Sequence, residues 1–280
     1  MQPTQTPRYA PSPRPTYDAP TLIHHLTVRR HIWGDAESCL VADWLYASTD
    51  KLHVLQFGLA PGKWFRHSPS YRTIFGADEV LFVLSGSMLA SNPQTGEVVN
   101  CSRGESLFFR RDTWHHVCAR GDEPLRVIEF FAPPPSTGTS GAYAAKQPYL
   151  DAARYTRDER LGKTEASPVG TLRRVPAAEL EWRIEGELQV GLIASSEHLT
   201  VAHLEVPSGA QGSPTAHGGD ALLFGLDGEL MVRTWWQDQS TTFEMGYRDA
   251  VYLPQGARYE VLNFGGTAQA LLGVAPRYLP

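Results

Sequence analysis

The chain of 280 residues is 42% hydrophobic and carries a formal net charge of −5, so it has apolar material for real cores and enough length for two compact domains. Its 25 basic residues form no long stripe, which argues against a nucleic-acid-binding role, and no apolar run reaches the roughly 20 residues a membrane-spanning helix requires. Three scattered cysteines, Cys39, Cys101 and Cys118, offer neither a disulfide framework nor a C-x-x-C site and fit a reducing, cytoplasmic setting. Residues 1–21 hold prolines at 3, 7, 11, 13, 15 and 20 and read as a disordered tail, or an arm draped over a neighbour, with no apolar core of a signal peptide. Runs rich in Val, Leu and Phe follow at Leu52–Leu59, Val80–Leu84, Ser87–Ala90, Ser106–Phe109 and Leu125–Phe131, each bounded by Gly, Pro, Asn or Asp. That is the pattern of an antiparallel barrel or sandwich.

A proline-stiffened and then Gly/Ser-loosened stretch, Ala132-Pro133-Pro134-Pro135 to Gly141, marks a domain boundary. The connector 136–180 holds the best helical candidates, around Tyr149–Arg160 and Ala177–Glu181, with Pro176 able to open a short turn. Beyond it the first half recurs. Leu52-His53-Val54 through Pro61-Gly62 aligns with Leu199-Thr200-Val201 through Ser208-Gly209, Leu81–Gly86 with Leu223–Gly228, and Leu125–Pro133 with Ala268–Pro276. Three ordered matches at nearly constant separation predict an internal duplication, with domains at 22–135 and 181–280.

The spacing of Glu79-x6-Gly86 and Gly104-x5-Arg110-x-Asp112-x2-His115, repeated as Gly209-x5-Thr215-x-His217-x3-Ala221-x6-Gly228 and Pro254-x-Gly256-x2-Tyr259-x3-Asn263, resembles the two motifs of the cupin superfamily. The resemblance covers roughly residues 45–133 and 190–276. It implies an all-β protein: two tandem jelly-roll β-barrels, a bicupin, joined by a short, partly helical connector. Family barrels hold a divalent metal through three imidazoles and one carboxylate. Two residues apart on a strand share a face, so the motif sends its ligands into the barrel.

Carried over position by position, the resemblance leaves Glu79 and His115 as ligand or catalytic candidates in the first barrel, with Thr73 and Phe75 where the two other histidines stand. His67 lies on a longer Gly62-to-Glu79 segment and is a candidate third ligand. Arg66 and Arg72 on that segment suit carboxylate or phosphate recognition, and Thr73 could hydrogen-bond a substrate. In the second barrel His217 keeps one ligand position, while Thr215, Ala221 and Tyr259 replace the others, so that barrel is expected to be metal-free, with His217 and Tyr259 as candidate pocket residues. Asp220 and His116 sit one position off the inward-facing sites, and alternation turns them outward. His116 is therefore read as structural, and Trp114 as packing or pocket wall.

These features predict an enzyme with its site in the first barrel, acting on a small oxygenated substrate by acid–base isomerase, lyase or dehydratase chemistry. One divalent metal (Fe, Mn, Ni or Zn) is implied by the resemblance for that barrel. A metal-dependent dioxygenase and a non-catalytic binding or storage protein are the alternatives. Paired barrels also predict a homo-oligomer, with neither nucleic acid nor membrane as partner.

Overall fold

The computed structural model describes residues 12–133, 143–151 and 171–276. Among them, no helix is long and apolar enough to cross a membrane. A short strand, β1 (Thr21–Ile23), comes first. Ten strands then build the first barrel: β2 (Arg29–Trp33), β3 (Val41–Ser48), β4 (His53–Leu59), β5 (Trp64–Phe65), β6 (Asp78–Ser85), β7 (Ser87–Asn92), β8 (Glu97–Ser102), β9 (Ser106–Phe109), β10 (His116–Arg120) and β11 (Leu125–Ala132). After β12 (Arg173–Val175) and a 3-10 turn over Ala177–Glu179, the second barrel uses β13 (Glu181–Glu185), β14 (Leu188–Ser195), β15 (Thr200–Val206), β16 (Asp220–Asp227), β17 (Leu230–Trp236), β18 (Gln239–Met245), β19 (Ala250–Leu253), β20 (Arg258–Leu262) and β21 (Ala268–Ala275). Of the helical expectations, the turn behind Pro176 is a single 3-10 turn, Tyr149–Asp151 are not helical, and 152–160 lie outside the described residues.

Each barrel pairs a seven-stranded sheet with a smaller one of four or three strands. The larger sheets run β12-β9-β6-β11-β4-β3-β2 and β1-β19-β16-β21-β15-β14-β13. Their outermost strands are exchanged: β1, which precedes the first barrel, pairs antiparallel with β19 of the second, and β12, which precedes the second, pairs with β9 of the first. The strand ahead of each barrel thus covers an edge of the other and removes an exposed row of hydrogen-bonding groups. Residues 12–20, expected as part of a disordered tail, instead lie along the first barrel. Pro15 O accepts the Ser48 N–H at 2.7 Å, Arg14 reaches Thr49 O at 2.9 Å, and Tyr17 donates its hydroxyl to Tyr46 O. Proline lacks an N–H to satisfy, so a proline-rich segment docks through its carbonyls and side chains.

Strand alternation divides the apolar residues among three cores. Leu81, Val83, Val127, Phe131, Val41 and Leu45 fill the interior of the first barrel, and Leu223, Val232, Val251, Leu272 and Val274 that of the second. The intervening residues Val80, Phe82, Ile128, Phe130 and Val54 turn the other way and meet Val201, Leu222, Phe224 and Leu271 in a core between the barrels. Strands buried on both faces explain why β4, β6 and β11 read as continuous apolar runs rather than as an alternation.

Two polar clasps flank that shared core, related by the internal duplication. Thr49 of the first barrel donates its hydroxyl to Asp220 Oδ2 at 2.7 Å, and Ser196 of the second donates to Asp78 Oδ2 at 2.6 Å. Asp220 also accepts from the Tyr252 hydroxyl (2.8 Å) and the Gln255 N–H (3.2 Å), and Lys51 Nζ stands 3.6 Å away. The outward orientation expected for Asp220 is therefore what builds the interface. Replacing Asp220 by alanine leaves a buried hydroxyl pair without its acceptor and should cost about 2–4 kcal/mol in urea denaturation. A loss below about 0.5 kcal/mol would show that the clasp carries no stability.

Candidate functional site

Three titratable side chains meet inside the first barrel: Glu79 from β6, Glu129 from β11, and His115, which immediately precedes β10. One potential ligand atom from each lies within 4.8 Å of the other two. Glu79 and Glu129 point inward because their neighbours two residues away, Leu81 on β6 and Val127 and Phe131 on β11, belong to the interior core. His115 is placed by its backbone, whose N–H donates to Thr73 O at 3.1 Å. All three are almost completely buried, at 1%, 6% and 2% exposure for Glu79, Glu129 and His115. The imidazole is walled by Phe109, Phe75 and Phe65, with ring centroids at 4.7, 5.4 and 6.1 Å.

This wall sets the electrostatics. Burial raises the Glu79 carboxyl well above the ordinary carboxylate range, and the charge of Glu129 adds to the effect. Glu129 is pushed up to about 8 by burial, partly offset by its hydrogen bond with Glu79. His115 is lowered to about 4 by burial, against a small opposing contribution from the Thr113 carbonyl. Near neutral pH, then, the two carboxyls share protons and the imidazole is uncharged. The His115 Nδ1 lies 3.3 Å from Thr113 O, and a carbonyl can only accept, so Nδ1 carries the hydrogen. Nε2 is left with its lone pair 3.9 Å from Glu79 Oε2, which has no hydrogen-bond partner.

Asp43 lies in the same interior. It alternates with Val41 and Leu45 of the core, faces Phe57 across β3 and β4, and is 6% exposed. Burial and the charge of Glu129 raise its carboxyl well above the usual range. Neither Asp43 nor Glu129 occupies a motif position, so the sequence reading passed over both. The available signal was a lone acid in an apolar run, Val127-Ile128-Glu129-Phe130-Phe131.

The remaining candidates are distributed elsewhere. His67 does not join Glu79 and His115: its Nδ1 meets His116 Nε2 at 2.8 Å and its Nε2 meets Leu150 O at 3.0 Å. The long segment carries it to the outer side of β10, against Trp114 and Tyr149, where alternation also places His116. Arg72 is engaged with the carbonyls of Ala144, Ala145 and Gln147 in the connector and covers the Tyr149 ring. Arg66 donates to Glu37 O and covers Trp64. Both arginines thus fasten loops instead of facing the buried acids. Thr73 is fully enclosed next to His115, with its hydroxyl unpartnered. In the second barrel His217 Nε2 and the Tyr259 hydroxyl are 2.9 Å apart, and the positions corresponding to Glu79 and Glu129 hold Ala221 and Leu272. No metal-capable cluster of three such ligands forms in that barrel among the described residues.

A family model for the cupin domain matches residues 75–131, the segment holding Glu79, His115 and Glu129. Among solved structures, an oxalate decarboxylase from Lactobacillus farciminis in a formate complex superposes with a TM-score of 0.66 at 13% identity, over 95% of this chain and 88% of that one. The chain has the bicupin fold. Bacillus subtilis oxalate decarboxylase, described with Mn(II) centres, gives 0.66 at 12% identity over 96% of this chain and 80% of its own. AerE from Microcystis aeruginosa gives 0.59 at 11%, over 89% and 97%. No curated protein sequence matches this chain. At these identities the likeness to solved structures is one of fold, and one barrel design hosts many chemistries.

The donor set of the first barrel fits a divalent cation. Two carboxylates and an imidazole lone pair converge, all acceptors when deprotonated, and Glu79 Oε2 lacks any other partner. The carbonyl that fixes the His115 tautomer is the support commonly found behind a metal-bound imidazole.

Proposed function

We propose that this bicupin is a small-molecule enzyme whose active site is the Glu79–His115–Glu129 cluster, and that it performs lyase- or isomerase-type proton transfer on a small oxygenated substrate. The supporting observation is the convergence of two carboxyls and one neutral imidazole, almost completely buried among apolar side chains. Burying such groups is costly, and they hold opposite proton affinities: carboxyls raised, imidazole lowered. That separation equips one site with an acid and a base near neutral pH. In the metal-free chain the protonated carboxyl pair would donate to the substrate's departing or developing oxygen and His115 Nε2 would accept a proton; with a cation held there, the same atoms serve as ligands instead. Phe65, Phe75 and Phe109 exclude water, and Asp43 and Thr73 supply further polar contacts inside the chamber.

Glu79, Glu129 and His115 are also the residues that would hold a divalent metal, for which Mn or Fe suits the two carboxylates. Such a cation supplies Lewis-acid polarisation of a bound oxygen or carboxylate. Glu129 provides the third ligand that the family motif lacks in this chain, and this favours a metal-dependent enzyme over a purely acid–base one. Structures sharing the fold include oxalate decarboxylases, so small carboxylic acids are the first substrates to try.

Calorimetric titration of metal-stripped protein with Mn(II) between pH 6 and 8.5 tests the reading. Both carboxyls are raised and must lose their protons before they ligate, so affinity should climb steadily with pH across this range. Consumption of a panel of small carboxylic acids, followed by NMR with Mn(II) present, should disappear in Glu79→Gln and His115→Ala. Full turnover in both variants would place the chemistry outside the first barrel.

A further inference from the structure

Where the larger sheet of the first barrel meets the second barrel, three arginines surround one tryptophan. The guanidinium carbons of Arg30, Arg126 and Arg248 lie 4.8, 5.2 and 5.9 Å from the centre of the Trp44 ring. Sheet register explains the first two. Arg30 on β2 stands across from Trp44 on β3, which stands across from Gln56 on β4. Arg126 on β11 faces Gly58, where a Cβ would fall 2.3 Å from its Nη1, so the arginine lies over bare backbone. Arg248 comes from the second barrel. Its Nε donates to Gln56 Oε1 at 2.8 Å, and its carbonyl accepts the Tyr46 hydroxyl at 2.8 Å.

None of these arginines has a carboxylate ion-pair partner among the described residues. The nearby Asp249 is occupied by the His25 N–H at 2.9 Å and by His24. Three buried donors here also lack an acceptor: Arg248 Nη2, Gln56 Nε2 and Trp44 Nε1. Gln56 and Trp44 are 0% and 8% exposed, so these are enclosed groups rather than surface amides left to solvent. An unpaired buried donor is expensive, and like charges gathered over one ring repel. The cluster presents only donors and positive charge, and its surplus is relieved by one class of ligand.

We propose that this seam is a binding site for a small oxyanion, a carboxylate or phosphate group, held by Arg30, Arg126 and Arg248 with Gln56 and Trp44. Planar guanidinium forks match both groups through paired hydrogen bonds. The duplicated fold does not require the cluster. At the corresponding positions of the other edge stand Trp182, Gly191, His203, Gln269 and Gly104 for Arg30, Trp44, Gln56, Arg126 and Arg248, without a single arginine. His25 at the same seam has its imidazole lowered to about 4, by burial first and then by Arg248 and Arg30, which agrees with a net positive environment. An anion seated here would bridge both barrels and couple their packing to ligand concentration.

The test uses full-length, metal-stripped protein and calorimetric titration with inorganic phosphate and, separately, malonate, each against a sodium chloride control at equal ionic strength. One of the two ions should bind at one per chain, and the tighter ion identifies the group recognised. Binding should weaken about tenfold or more in Arg126→Gln and in the exposed Arg30→Gln, whose folding is least at risk. The Glu129→Gln variant should retain it, which separates this site from the barrel interior. Binding of neither ion, equal competition by chloride, or affinity unchanged in both arginine variants would overturn the proposal.

Discussion

Glu129→Gln is expected to abolish divalent-metal binding and turnover while making the metal-free protein more stable in mild alkali. Glutamine preserves the shape of the side chain and removes the charge that the apolar chamber disfavours. The direction follows from linkage. A carboxyl held at about 8 in the folded chain, against about 4.5 unfolded, keeps its proton in the native state across that window, so stability falls as pH rises from about 4.5 to about 8. The variant lacks this loss and should gain on the order of a few kcal/mol over the parent at pH 9, seen as a rise of several degrees in Tm. His115 works in the opposite sense. Its imidazole is lowered from 6.5 to about 4, so stability falls as pH drops through that interval, and His115→Ala should blunt the acid limb. A Glu129→Gln variant that still binds Mn(II) with parental affinity would remove Glu129 from the ligand set. A variant no more stable at pH 9 would mean that the chamber already solvates the carboxylate.

Phe130→Ala should be among the most damaging single substitutions. Phe130 is fully buried at the centre of the core between the barrels, and its ring lies on the bare backbone of Gly273 in the second barrel. Deleting a phenyl ring from such a site costs about 3–5 kcal/mol, through lost transfer energy and the cavity left behind. Gly273→Ala should damage the same contact from the other side, because a Cβ at that position falls 2.3 Å from Phe130 Cδ1. The double variant should be less destabilised than the sum of the two single changes, since the added methyl then points into the vacated space. Simple additivity in urea denaturation would show that the two positions do not share a contact.

The two clasps and the shared core give the interface the two-fold character of a homodimer written into one chain. The exchanged strands β1 and β12 strengthen that relation, because neither larger sheet is complete without a strand from the segment preceding the other barrel. The anion seam breaks it, being confined to the edge where Arg248 of the second barrel meets Trp44 and Gln56 of the first. Likewise the acid cluster occupies one barrel, while Ala221, Tyr259 and Leu272 stand at the corresponding positions of the other.

Local signals were sufficient for the architecture. Strand runs with turn residues at their ends, the recurrence of Leu52–Gly62 as Leu199–Gly209, and the motif spacing around Glu79 and Gly228 all report on a few neighbouring residues, and periodicity is a property of such neighbours. The inward placement of Glu79 and the outward turn of Asp220 and His116 were legible for the same reason: alternation along a strand needs no knowledge of its partners. What completes the site depended on the third dimension. Glu129 and Asp43 reach the chamber because β11 and β3 close the barrel around it, strands far apart in the chain and brought together by pairing. His67, read as a third ligand from its closeness in sequence, was carried to the far side of β10 by a loop whose path no local pattern encodes. The exchanged strands and the arginine seam belong to the same class, since each exists only where the two barrels meet.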